Sequence, residues 1–143
     1  GAGRDVGELD LVARLNCCIS SDPREAREAL RMSAARSLPG HLEFAAASGV
    51  DIPADLATSF SQMGYTHDAE ALASMARQVP DDVVGVMALA GTVDEVAERV
   101  VKIVRRGVSQ IIVRASPAPR GSIYATLEAF ATQVLPMVRR HLE

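Results

Sequence analysis

Between Gly85 and Ser116 the hydrophobic pattern changes character twice. Val86–Leu89 is a short apolar run that meets Gly91-Thr92, the punctuation of a buried strand handing over to a helix. From there Val93, Val96, Ala97, Val100, Ile103 and Val104 recur at the spacing of one helical face, while Glu95/Arg99 and Glu98/Lys102 stand four apart on the wet side. Thr92 is placed to cap this helix, with Glu95 closing a capping box. Gly107 is placed to end it, behind Arg105 and Arg106, whose charges suit the negative end of the helix dipole. Ile111–Val113 then returns as a β-branched run apolar on both faces. The stretch therefore predicts strand, helix and strand, and a strand covered on both sides belongs to a parallel sheet with helices packed on it.

The rest of the chain is placed around that unit. Leu11–Ile19 alternates, with Leu11, Ala13, Leu15 and Cys17 on one face and Arg14, Asn16 and Cys18 on the other, which predicts a strand. As a barrel strand it would turn the apolar set to the helices and the polar set to the interior. Asp22 followed by Pro23, with Glu25 in the first turn, announces a helix running to about Ser37, where Leu38-Pro39-Gly40 stops it. From 41 to 84 the signals are helical without strands. Pro53 opens a helix over Asp55–Gln62, Gly64-Tyr65 breaks it, Thr66 caps another over His67–Gln78, and Pro80-Asp81-Asp82 starts a short turn. Pro117–Ser122 is too rich in Pro and Gly for regular structure. A last helix, Ile123–His141, sets Leu127, Phe130, Ala131, Val134, Leu135 and Val138 to one side, with Pro136 imposing a kink or break.

The string MALAGTVDEVAERVVKIVRRGVSQIIVRAS, followed after the Pro-rich loop by LEAFATQVLPMVRRHL, resembles the C-terminal end of the luciferase-like monooxygenase family. LDLVARLNCCISSDPREAR looks like the sixth strand and following helix of that family's (β/α)8 barrel. The resemblance implies an α/β chain forming the C-terminal part of a TIM barrel, with about three parallel strands, their helices and an all-helical insertion. It divides the single unit into strand plus helix (10–38), helical insertion (39–84), strand-helix-strand (85–116) and C-terminal helix (123–143). In the family the insertion helps wall the substrate cleft.

Length bears on this, because the chain has 143 residues and a (β/α)8 barrel takes about 250. The expectation is a fragment whose Gly-rich lead-in, Gly1–Leu9, is an interior cut in the tail of a preceding helix. The 48% hydrophobic content with 3% aromatics is high for a short chain, so part of the apolar surface should meet another polypeptide. A net charge of -3, interleaved along helices, points to neither nucleic acid nor an anionic membrane. No apolar run reaches the roughly 18 residues of a membrane span and the first residues lack a basic-then-apolar export pattern, so a cytoplasmic location is expected. Adjacent Cys17 and Cys18 suit neither a disulfide framework nor a zinc site, so both should be reduced, buried thiols.

Barrel enzymes keep their chemistry at the C-terminal ends of the strands. That singles out Cys18, Ser20 and Asp22, then Gly91 and Thr92, then Arg114, Ser116 and Arg120. Gly91-Thr92 offers amides at a helix start, either as an anion site or as a plain cap. Arg114 near a barrel mouth either binds a cofactor phosphate or substrate carboxylate, or pairs with a buried acid. Arg14 and Asn16 sit deeper, in a structural hydrogen-bond layer. Cys18 lacks a neighbour that would activate it. Tyr65 either reaches a cleft or packs at its helix junction. His41, His67 and His141 should face solvent, and no metal spacing, Walker loop or Ser/His/Asp order occurs.

The resemblance implies a flavin or deazaflavin (FMN or coenzyme F-420), held in the family largely by strands of the N-terminal half and performing hydride transfer or oxygenation. The leading expectation is thus the C-terminal portion of a luciferase-like oxidoreductase, inactive alone and completed by the missing N-terminal half-barrel or by a second copy, with a homo-oligomer expected. The alternative is a non-catalytic half-barrel kept for binding or assembly, and a third reading is a compact α/β domain unrelated to barrels. Upstream coding sequence would separate the first two.

Overall fold

A computed structural model describes residues 9–143, so most of the Gly-rich lead-in lies outside the described residues. Three parallel strands form one sheet: β1 (Val12–Ile19), β2 (Leu89–Gly91) and β3 (Gln110–Ala115). Between β1 and β2 run α1 (Pro23–Ser37), α2 (Leu42–Ala47), α3 (Ala54–Met63), α4 (Ala69–Ala76) and α5 (Asp81–Met87). Helix α6 (Val93–Val104) joins β2 to β3, and α7 (Ile123–Ala129) and α8 (Leu135–Leu142) close the chain.

The sheet order is β2-β1-β3. Cys17, Cys18 and Ile19 face Leu89, Ala90 and Gly91, while Val12–Cys17 face Gln110–Ala115 on the other side. Sequence-adjacent strands would be neighbours in a closed barrel, whereas here β1 holds the centre and the β2-to-β3 connection passes over it. Right-handed crossovers dictate the rest. A chain that steps to one side and then returns across the sheet must lay its two crossover helices on opposite faces. Accordingly α1 packs on the face of Cys18 and Ala90, with Leu30, Phe60, Leu72 and Val84 behind it, and α6 packs on the face of Cys17 and Leu89, with Val134 and Val138. Two cores therefore share one sheet.

This arrangement changes the expected division of β1. Leu15 and Cys17 do pack on helices, but the opposite face is also covered over part of its length: Cys18 is fully buried beside α1, and Asn16 Nδ2 donates to Ser33 Oγ of α1 at 2.7 Å. Only Arg14 and Val12 of that side stay open. Nor is β3 covered on both faces, since Ile112 is 50% exposed.

Several boundaries also move. The strand expected at Val86–Leu89 begins only at Leu89, because Val86 and Met87 complete α5. Pro80 precedes that helix and Asp81 and Asp82 sit in its first turn, and a run apolar on every side does not distinguish buried helix from strand. Helix α4 is capped by Asp68, whose side chain accepts from the amides of Glu70 and Ala71, rather than by Thr66, which accepts from Asp68 N–H one step earlier. The last helix breaks ahead of Pro136 as a π turn, Phe130–Val134. Pro136 has no N–H to give, and the wider turn absorbs the loss. The extra residue also shifts the buried stripe: Thr126, Val134 and Val138 are buried, whereas Leu127 and Ala131 turn outward.

Candidate functional site

The C-terminal ends of the strands are tied together by the chain's own polar groups. Ser20 N–H donates to Gly91 O at 3.1 Å and Ser116 N–H to Cys17 O at 2.8 Å. Ser20 Oγ accepts from Asp22 N–H and donates to Glu25 Oε2 at 3.0 Å. At the start of α6 the anticipated capping box is formed: Thr92 N–H donates to Glu95 Oε2 at 2.8 Å and Glu95 N–H to Thr92 Oγ1 at 3.3 Å. Arg27 of α1 then donates to Glu95 Oε1 at 2.7 Å. The Glu95 carboxylate lies where a Cβ on residue 91 would sit, which is why that position is a glycine. Gly91 and Thr92 therefore stand at a helix start already holding an anion of the same chain.

Arg114 is exposed and faces Asn16 across the β1–β3 ladder, sharing its side of the sheet with Arg14 and Ile112. Arg120 is also exposed and adopts a positive φ of 62° in the loop after β3. Neither enters the cluster around Glu95 in the hydrogen bonds above. Sequence reasoning passed over Thr126, which is buried and donates from Oγ1 to Ser116 O at 2.8 Å, fixing the loop after β3 to α7. A lone hydroxyl one turn before Phe130 was its only signal.

The two thiols are free and fully buried, on opposite faces of the sheet. Burial, with a smaller push from Cys18, raises Cys17 to about 12, and burial followed by the Glu25 charge raises Cys18. Both are neutral near pH 7 and poor nucleophiles. The three histidines are exposed, His41 and His141 turning Nδ1 to the carbonyls of Ser37 and Met137. Tyr65 is exposed as well, its hydroxyl lying against Gly40.

A separate cleft of about 460 Å³ opens at the other end of the sheet. Its floor includes Ala13–Asn16 of β1, which have no β2 partner because β2 begins only opposite Cys17. Leu89, Met87 and Ile103 give it apolar walls, and Phe44 stands at it half exposed. Arg14, Arg99, Lys102 and Arg106 line it without any Asp or Glu. Arg99 Nη2 donates to Val86 O at 2.9 Å, so it does not pair with Glu95 one turn earlier, which belongs to Arg27. Burial, and then the charge of Arg106, lower the pKa of Arg99.

With strands, rim and cleft in place, one comparison decides the family: a family model for luciferase-like monooxygenase matches residues 1–110. The chain belongs to the luciferase-like monooxygenase family. No curated protein matches it. A single sheet of three parallel strands with its helices is consistent with a partial luciferase-like barrel, here with β1 as the middle strand. Membership assigns an oxidoreductase or monooxygenase type of function.

Luciferase-like proteins commonly use flavin-type cofactors, and the rim can be tested for one. A phosphate needs free donors and positive charge, but the amides of Thr92 and Glu95 are spent within the capping box and Arg27 is spent on Glu95. Asp22 and Glu95 are matched by Arg24 and Arg27, so these arginines are already engaged with carboxylates of the same chain. As folded, the Glu95 carboxylate occupies the helix start at Gly91-Thr92, where a phosphate would otherwise sit. Among the described residues no group of three His, Cys, Asp or Glu is placed to hold a metal, and no helix is long and apolar enough to cross a membrane.

Proposed function

We propose that the chain is one component of a flavin- or deazaflavin-dependent oxidoreductase of the luciferase-like type, inactive until further polypeptide completes its site. The observation that carries this reading is the pairing of a family match over residues 1–110 with a strand rim closed by Glu95 and Arg27. The completing polypeptide is an N-terminal half-barrel or a second copy. The outer edge of β3 has no strand partner among the described residues, and on one face of the sheet Val12 and Ile112 are each 50% exposed, alternating with Arg14 and Gln110. An unpaired edge beside apolar surface favours association. Arg114, on that face, is the residue assigned to a cofactor phosphate or substrate carboxylate after assembly, while Gly91 and Thr92 are available only if Glu95 turns aside.

The test titrates FMN and coenzyme F-420 into the chain and records the visible spectrum, alone and with a luciferase-like N-terminal half-barrel supplied in trans. The reading expects tight binding only in the mixture, weakened by Arg114→Gln. Tight one-to-one binding by the chain alone, weakened by the same substitution, would overturn it. A second reading, a non-catalytic assembly protein, draws on the same closed rim. It expects a stable oligomer by sedimentation and no cofactor binding in any mixture.

A further inference from the structure

We propose that the cleft between β1, α5 and α6 binds a small organic anion, one phosphate or carboxylate carried on a flat apolar body of one or two rings. The inference concerns the end of the sheet away from the rim and does not depend on the oxidoreductase reading.

Charge is the first argument. Arg99 and Lys102 stand three residues apart on α6, Arg106 follows just past the end of that helix, and Arg14 approaches from β1. None of the four has a carboxylate within ion-pair distance among the described residues. Gathering like charges around a concave surface is unfavourable, more so for Arg99, which is partly buried and whose single hydrogen bond goes to the neutral carbonyl of Val86. A bound anion would offset both the desolvation and the repulsion.

The backbone supplies the second argument. Ser20 N–H points from β1 toward β2, where it meets Gly91 O. Amides alternate sides along a strand, so those of Asn16 and Arg14 turn the same way, into the cleft, where no β2 residue faces them. Two donors at a bare strand edge beside guanidinium groups suit an oxyanion. Shape is the third: Leu15, Met87, Leu89 and Ile103 present apolar surface next to the cations, and the volume of about 460 Å³ falls in the range of pockets for small organic ligands. Inorganic phosphate would use only the cations, so the apolar walls select for a ring-bearing anion.

The experiment uses the full chain with 1-naphthyl phosphate, with 1-naphthol and inorganic phosphate as separated halves of the same ligand, read by calorimetry and by methyl shifts of Met87, Leu89 and Ile103. We expect 1-naphthyl phosphate to bind at least about tenfold more tightly than either half and to weaken as salt rises. Lys102→Gln and Arg106→Gln, both at exposed positions, should each weaken it severalfold, and Arg99→Met by about tenfold or more. Arg139→Gln, which removes an exposed cation on α8 outside the cleft, should leave binding unchanged. Since Arg99 also holds Val86, thermal unfolding of each variant is followed in parallel, and the Lys102 and Arg106 variants carry the test if Arg99→Met unfolds. Equal affinity for naphthol and naphthyl phosphate, or affinity untouched by Lys102→Gln and Arg106→Gln, would overturn the proposal. So would a loss in Arg139→Gln equal to theirs.

Discussion

Arg27 and Glu95 meet at 2.7 Å across the C-terminal end of β2, joining a helix on one face of the sheet to the first turn of a helix on the other. The same carboxylate accepts from Thr92 N–H, so one side chain both starts α6 and fastens it to α1. Glu95→Ala should lower unfolding free energy by about 1 kcal/mol through the lost capping box. The partly exposed ion pair adds less than about 1 kcal/mol. Thr92→Ala should cost about 1 kcal/mol as well. Because both act through one turn, the double variant should lose less than the sum in a urea titration.

Arg31 is a second tie. It donates to Val79 O, to Asp81 Oδ1 and, at 2.7 Å, to Glu28 Oε2, and its side chain is only 15% exposed. It thereby clamps the start of α5 onto α1. Arg31→Met should cost about 1.5–3 kcal/mol, since Val79 O and Asp81 both lose a charged donor. Arg31→Lys should recover only part, because an ammonium does not match the forked geometry. Equilibrium unfolding in urea reads both.

The buried thiols set an alkaline limit. Cys17 is raised from 9.0 to about 12, and Cys18 is raised too, so above pH 9 the unfolded chain releases protons that the folded chain still holds. The contribution is fully present below pH 9 and is lost as pH climbs toward 12. For each thiol still protonated in the folded state, stability falls by up to about 1.4 kcal/mol per pH unit. Cys17→Ala should flatten that slope. A thiol-reactive dye at pH 8 should modify neither cysteine until urea unfolds the protein.

The order of the strands is open to a direct check. Leu15 faces Val113 and Ala13 faces Ile111, so nuclear Overhauser contacts should link β1 to β3 at these positions and link Cys17 to Leu89 on the other side. No contact should join β2 to β3 in the isolated chain. Barrel order would put β3 beside β2, and finding that pairing would refute the arrangement described above.

What the sequence made legible was local. Thr92 and Glu95 announced the capping box, Asp22-Pro23 the start of α1, and Gly107 the end of α6, where φ is +94°. Each is decided within one turn of chain by a specific chemical group. The pairing of β3 with β1 depends on crossover handedness and on which strand edge is free, and no single residue records that. Arg99 and Lys102 looked like the wet side of α6 because period alone puts them there. Their place in a cleft needed Val86 and β1 brought alongside, and Glu95 claimed by Arg27. The boundary between α5 and β2 failed for another reason: Val83–Leu89 is apolar on all sides, and only the three residues opposite Cys17, Cys18 and Ile19 found a ladder to join.

The central place of β1 has a consequence for biosynthesis. It leaves the ribosome before either of the strands that flank it, and the whole run of α1–α5 must emerge before the first flank arrives. Until then both margins of a strand carrying Leu15, Cys17 and Cys18 are open to pairing with other nascent chains, the kind of delayed long-range closure that slows folding and invites aggregation. Helper proteins that shield extended segments should therefore matter most for this polypeptide during translation, and their depletion should lower its soluble yield well before it affects the finished molecule.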